Sequence, residues 1–285
     1  MNSFRCNLLV PGFAKSGTSS LHDYLGMHPK VCMSSVKEPH FFAFKDRYRN
    51  GSETHNQLFD HGSSQESFFG ESSTMYAVWE PAQLRLLQSL QEPKIILMLR
   101  EPLERLLSHY RWMFALGLEN LSLLDALKAE KSAPILPELS RKGCYPWYYR
   151  HSNYSYFCEL IKSLFGEDRV MFLRAKDLRA HPQQVLDECF RFLGLDPIVI
   201  KESIERNRTS EKTVQREFGL DRLLKPIPPA WRNTFDPNRK VRDRVKRLFG
   251  EKKRIAPNPT LSELESIREL LDEDVLYYNS LWEGN

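Results

Sequence analysis

Leu8-Leu9-Val10-Pro11-Gly12-Phe13-Ala14-Lys15-Ser16-Gly17-Thr18-Ser19-Ser20-Leu21 is the stretch on which the fold turns. Its first three residues make an apolar run suited to a buried strand, a glycine-containing loop follows, and hydroxyl residues open a helix. Such a turn aims backbone N–H groups and the positive end of the helix dipole at an anion. The glycines let an anion approach closely, Lys15 adds a mobile positive charge, and the Thr18 and Ser19 hydroxyls can donate to terminal oxygens. An ordinary Gly-Ser turn would need neither the strand before it nor the lysine within it. Lys15, Ser16, Gly17, Thr18, Ser19 and Ser20 are therefore the first anion-binding candidates.

Beyond this loop, apolar runs recur at Val31 to Met33, Phe68 to Phe69, Ile95 to Leu99 and Val170 to Leu173, with helical patterns between most of them. The alternation predicts a mostly parallel sheet covered by helices. Four runs stop in polar clusters: Pro11 to Thr18, Lys37 to His40, Glu71 to Thr74, and Arg100 to Pro102. Ligands of open parallel sheets bind at the carboxyl ends of strands, so the clusters should converge on one site. Helices are expected over Ser152 to Phe165, Pro182 to Leu193 (ending at Gly194) and Leu261 to Leu271, with a Pro-rich interruption from Pro226 to Pro237.

Bulk properties narrow the class. The 285 residues, 41% hydrophobic and without a repeat, fit one α/β domain (1–285) with a helical or irregular C-terminal extension from about 205 to 285. Five cysteines without Cys-x-x-Cys pairing read as reduced thiols with no metal role. No long apolar stretch or leader pattern is evident, so a cytoplasmic location without a transmembrane segment is the expectation. The net charge of +4 is uneven, because residues 222–254 carry +9 and the remainder −5. That segment is either a solvated face or a surface for a polyanion.

The order of residues in the loop separates two chemistries. A Walker A loop carries its lysine directly after the second glycine, whereas Lys15 stands two residues before Gly17. The run Ile95 to Leu99 ends in Arg100, where a magnesium-dependent phosphotransferase would show an aspartate. Arg100-Glu101-Pro102, then Arg105, Ser108 and Tyr110, form a second cluster. With Pro102 opening a helix, Arg105 and Ser108 fall three apart on one face, where a guanidinium and a hydroxyl could be presented to a phosphate together.

The Lys15-Ser16-Gly17-Thr18 loop and the Arg100-x-Pro102-x-x-Arg105-x-x-Ser108-x-Tyr110 helix resemble the two phosphate-binding motifs of sulfotransferases. The resemblance implies an α/β, P-loop NTPase-like three-layer sandwich, with a central mostly parallel sheet flanked by helices. It also implies 3′-phosphoadenosine 5′-phosphosulfate (PAPS) as co-substrate, with 3′-phosphoadenosine 5′-phosphate (PAP) as product and no metal. The first motif would grip the phosphosulfate, and the second the 3′-phosphate through Arg100 and Ser108. Lys37-Glu38-Pro39-His40-Phe41-Phe42 is similar to the heparan sulfate and carbohydrate branch, in which the glutamate before a His-Phe-Phe triplet is the base. That branch often has a lysine after the glutamate matching Glu71, where this chain has Ser72, and the chain looks like a soluble bacterial-type homologue.

Sulfuryl transfer needs an in-line nucleophile, stabilisation of charge and a proton acceptor. Glu38 is the expected base, with acidity weakened by burial. Lys15 would stabilise the leaving oxygen. His40, sharing a face with Glu38 if the backbone is extended, could orient Glu38, touch the sulfuryl group or be the base itself. Gly143, Tyr145, Trp147, Tyr148 and Tyr149 are candidates for the acceptor side, and Arg206 and Arg208 for closure over the adenosine. The implied acceptor is a hydroxyl, on a carbohydrate by resemblance, with a small hydroxylated metabolite or lipid as alternatives. A P-loop kinase and a noncatalytic polyanion-binding module are the rival readings; no nucleic-acid partner is expected, and oligomeric state is not legible.

Overall fold

The computed structural model of the chain describes residues 3–63, 65–132, 145–200 and 255–283. Five strands, β1 (Leu8–Leu9), β2 (Val31–Met33), β3 (Phe68–Glu71), β4 (Lys94–Leu99) and β5 (Val170–Arg174), form one sheet in the order β2-β3-β1-β4-β5. Every described pairing is parallel, with Leu8 opposite Gly70 and Lys94, and Ile95 opposite Val170. All five fall on the apolar runs expected from the sequence. Parallel strands are covered on both faces and so read as near-continuous hydrophobic stretches.

The helices are α1 (Thr18–Leu25), α2 (Lys45–Tyr48), α3 (Gly51–Asn56), α4 (Glu80–Ser89), α5 (Pro102–Ala115), α6 (Leu123–Ser132), α7 (Tyr154–Phe165), α8 (Ala175–Ala180), α9 (Pro182–Phe192), α10 (Leu261–Leu270) and α11 (Asp272–Ser280). Side-chain alternation along the strands sorts them into layers. Leu8, Val10, Ile96 and Met98 pack with Leu21 and Leu25 of α1 and with Leu186 and Phe190 of α9. Leu9, Ile95, Leu97 and Leu99 face the other way, against Leu86 of α4 and Phe157 and Ile161 of α7. Each strand thus separates two apolar cores, which makes the three-layer, P-loop NTPase-like sandwich expected from the sequence.

A third cluster joins Leu106 and Met113 of α5, Leu123 and Leu127 of α6, and Ile267 and Leu271 from the C-terminal helices. The Asp274 carboxylate of α11 accepts hydrogen bonds from the Ser155 amide and hydroxyl at the start of α7, both at 3.0 Å. The strand order places β1 between β3 and β4, so the connection leaving β1 for β2 and the one leaving β3 for β4 run in opposite directions from the carboxyl ends of these neighbouring strands. That divergence is the crevice where doubly wound sheets bind ligands. Cys6, Cys32, Cys158 and Cys189 are buried free thiols, and Cys144 lies outside the described residues.

Candidate functional site

The four polar clusters meet at the carboxyl end of the sheet, tied by backbone hydrogen bonds. In the loop after β1, the Phe13 amide donates to the Met98 carbonyl and the Met98 amide to Gly12, both at 2.9 Å. The Ala77 amide, in the turn after β3, donates to the Pro11 carbonyl at 2.9 Å. The fit here is close enough that a Cβ on Gly12 would lie 2.4 Å from the Ala77 Cβ. After β2, the Glu38 amide donates to the Ser72 carbonyl at 2.9 Å and the His40 amide to the Ser73 hydroxyl at 3.0 Å. Ser73 in turn donates to the buried Glu71 carboxylate at 2.8 Å, which also holds His55 at 2.8 Å and the Tyr76 hydroxyl at 2.5 Å.

Gly17 caps α1 with φ +92, a left-handed conformation suited to glycine, and no side chain caps the helix. The first amides of α1 therefore face outward uncapped, beside buried Ser16 and Thr18 and partly exposed Lys15, Ser19 and Ser20. The Lys15 ammonium lies 4.9 Å from the centroid of the Trp112 ring on α5. Amides, hydroxyls and an ammonium together suit an anionic group such as a phosphosulfate. The start of α5 differs, because the Glu101 carboxylate already accepts from the Leu103 and Glu104 amides at 3.1 and 2.6 Å. An anion near α5 would thus meet side chains: Arg100, paired with Glu104 at 3.1 Å, and Ser108.

Arg105 corrects one expectation. It does not present its guanidinium beside Ser108 but is wholly buried, with Nε donating to Ser152 Oγ at 2.7 Å and Nη1 to the Ala14 carbonyl at 3.3 Å. Nη2 donates to the Tyr148 carbonyl, and Nη1 lies 3.4 Å from His109 Nδ1. Burial lowers it to about 10. Arg105 is the internal brace of the loop after β1, joining it to α5 and the turn before α7.

Glu38 and His40 do meet, with His40 Nε2 3.4 Å from Glu38 Oε2, although not on an extended backbone. Both residues have left-handed φ, +61 and +50, and Lys15 has +70. Among the described residues these are three of the four non-glycine residues in that region. Strained backbone of this kind collects at functional sites, where the surrounding structure holds it. Glu38 Oε2 accepts from the Thr74 amide at 2.8 Å and the Thr74 hydroxyl at 3.2 Å, while Lys37 Nζ donates to Oε1 at 2.7 Å. Thr74 Oγ1 also lies 2.9 Å from the Tyr145 hydroxyl.

The acidity of Glu38 differs from the sequence expectation. Burial pushes the carboxyl up, but Lys37, His40 and the Thr74 amide together outweigh it and hold the group below the ordinary glutamate range. Burial lowers His40, against the pull of Glu38 and Glu71. The aromatic cluster is likewise divided. Tyr148 is interior, its hydroxyl donating to Glu119 at 2.9 Å, so it belongs to the core and not to an acceptor surface. Tyr145 stacks on His151 with centroids 5.2 Å apart, and Trp147 stacks on Trp79 at 6.0 Å. Sequence reasoning missed the contacts of Thr74 and His151, whose neighbours come from distant segments, and that of Lys37 with the carboxylate beside it. Gly143, Arg206, Arg208 and the basic segment 222–254 lie outside the described residues.

Behind the loop, burial drives His109 and His151 well below their ordinary 6.5, with Arg105 adding repulsion to both. Below pH 6.5 the unfolded chain therefore binds more protons at these sites, and stability falls with pH. Glu130 opposes them: burial raises it to about 7 although it accepts the Arg150 and Tyr149 amides, so the folded state takes up its proton first. Two strongly depressed imidazoles and His40 outweigh one carboxyl, each group contributing at most about 1.4 kcal/mol per pH unit. Urea midpoints are expected to fall between pH 7.5 and 5.5, and Glu130→Gln should steepen the fall. A midpoint flat or rising toward pH 5.5 would contradict neutral burial of these histidines.

Comparison with known proteins bears on this geometry. The family described as the sulfotransferase domain matches residues 6–254. Membrane-associated sulfotransferase kil1 of Dictyostelium discoideum is 34% identical over 131 residues, covering 45% of this chain and 25% of that protein. Bifunctional heparan sulfate N-deacetylase/N-sulfotransferase 4 of Mus musculus is 28% identical over 202 residues, covering 66% of this chain and 22% of that protein. The chain thus spans about a quarter of the length of these two curated relatives. A crystal structure of a sulfotransferase from Alicyclobacillus acidocaldarius superposes with TM-score 0.59 at 28% identity, covering 72% of this chain and 87% of that one. Among the described residues, no helix is long and apolar enough to cross a membrane.

Proposed function

This chain belongs to the sulfotransferase domain family, and from that premise we propose that it moves the sulfuryl group of PAPS to an acceptor hydroxyl, with Glu38 as general base. The acceptor class that the relatives favour is a carbohydrate, since one of them is named for heparan sulfate. The observation that carries the proposal is the left-handed backbone at Lys15, Glu38 and His40, in the loops that leave β1 and β2 on either side of β3. The donor supplies a sulfur already bonded to a good leaving phosphate. The α1 amides and Ser16 to Ser20 hold its phosphosulfate, Lys15 neutralises the oxygen that departs, and Arg100 and Ser108 hold the 3′-phosphate. Glu38 takes the proton of the acceptor hydroxyl, and His40 packs behind it. Its side chain is only 2% exposed against 27% for Glu38, so the carboxylate is the group that an acceptor meets.

PAP is expected to raise the melting temperature in the absence of magnesium, and ATP to do so much less, because Arg100 and Ser108 meet a 3′-phosphate that ATP lacks. A ligand at 100 times its Kd stabilises by about 2.7 kcal/mol, which thermal unfolding resolves easily. Equal shifts with ATP, or a requirement for magnesium, would return the chain to the kinase reading. Screening labelled donor against sugars, lipids and small alcohols would identify the acceptor.

A further inference from the structure

The hydrogen-bond inventory around Glu38 poses a problem for its role as a base. Oε2 accepts two hydrogen bonds from Thr74, filling its two lone-pair directions, and His40 lies 3.4 Å from the same oxygen. The proton of an acceptor must therefore go to Oε1, and Oε1 is bonded to Lys37 Nζ at 2.7 Å. Oε1 keeps a second lone pair, but the ammonium on it lowers its basicity, so transfer is favoured when the ammonium leaves. The pair sits at the mouth of the site, with side chains 23% and 27% exposed, so lysine can swing without disturbing the core.

Where the ammonium can go follows from its neighbours. The charge of Lys37 acts on His22 of α1, which burial already lowers and which lies 2.9 Å from Ser72 Oγ through Nδ1. His22 is four residues beyond Thr18, about 6 Å along the helix. A lysine side chain, with a flexible stem and three donors, spans that distance to a group at the head of α1. His22 is kept neutral and does not compete for the anion. Ser72, just after β3, brings a hydroxyl and no charge, whereas Lys37 brings an ammonium to the Glu38 side.

We propose that Lys37 is a further catalytic residue, whose ammonium passes from Glu38 Oε1 to the sulfuryl oxygens of the bound donor and thereby frees Oε1 to accept the acceptor's proton. The inference rests on the sulfotransferase reading with PAPS as donor. In the step it serves, the acceptor oxygen bonds to sulfur while its proton moves to Glu38 Oε1. The bond between sulfur and the bridging oxygen breaks, and its electron pair stays on the phosphate of PAP beside Lys15. Lys37 meets the equatorial sulfuryl oxygens, which PAP does not have.

That difference between the two nucleotides is the test. Calorimetry should give Kd values for PAPS and for PAP with the native chain, Lys37→Met and Lys37→Arg. The expected result is PAP affinity unchanged throughout, with PAPS bound about 10-fold more weakly by Lys37→Met, the loss of one hydrogen bond to a charged group. Lys37→Arg should recover most of the loss. Thermal unfolding of Lys37→Met near the native temperature would show that the fold is kept. Equal PAPS affinity in the native chain and Lys37→Met overturns the proposal, and so does a parallel loss of PAP and PAPS. Failure of the native chain to bind PAP would instead overturn the donor reading, and this inference with it.

Discussion

Glu38→Gln is expected to lose a factor of about 10² to 10⁴ in turnover, the usual contribution of a general base, while PAP affinity stays native. The amide keeps the shape and can still accept from the Thr74 amide, so the turn after β2 should hold. It cannot take a proton. The native carboxyl lies below the ordinary glutamate range, so it is ionised throughout the neutral region and the acid limb of the rate should fall below pH 4.5. This is the opposite of a base tuned upward by burial. A weaker base costs driving force for proton transfer, and release from Lys37 as the donor binds would restore some of it. His40→Ala should cost less, because the imidazole packs behind the carboxylate. Single-turnover transfer from labelled donor to a heparan sulfate oligosaccharide, or to the acceptor that screening finds, would compare the two. Full activity in Glu38→Gln with near-zero activity in His40→Ala would make His40 the base.

The sheet was legible because parallel strands buried on both faces leave unbroken apolar runs, and four of the five runs here stop in polar clusters. That pattern located β1 to β5 and the convergence of the four clusters. The contacts that tune the site were not legible, since they join residues far apart in sequence. Helical spacing put Arg105 and Ser108 on one face of α5 but could not say that this face turns inward at Arg105. A period of two suggested that Glu38 and His40 share a face, and they do meet, yet through left-handed turns that no alternation encodes. The acidity of Glu38 was misread because burial was counted without the ammonium one residue away, which could as easily have pointed to solvent. Tyr148 shows the same limit, for an aromatic residue near a site is equally suited to the core beneath it.

Arg105→Met should be the most destabilising substitution in the site, at about 3–5 kcal/mol from the buried acceptors it strands. Methionine fills part of the volume and carries no donor. The carbonyls of Ala14 and Tyr148 and the hydroxyl of Ser152 would each lose a guanidinium N–H, those of Tyr148 and Ser152 in a buried place. Lysine would not repair it, because one ammonium cannot span three acceptors held in the planar fork of arginine. For a chain of this size the loss corresponds to a fall of roughly 10 °C in melting temperature. Function should fall as well: Ala14 is the residue before Lys15, so losing the brace lets the phosphate loop move against α5. Arg100→Ala offers the contrast. Its guanidinium is partly exposed and paired with Glu104 at 3.1 Å, so PAP affinity should drop with little change in melting temperature. Measuring melting temperature and PAP affinity for both variants separates the brace from the ligand contact. A native melting temperature in Arg105→Met with PAP binding abolished would mean that Arg105 reaches the nucleotide directly, as its place in the motif first suggested.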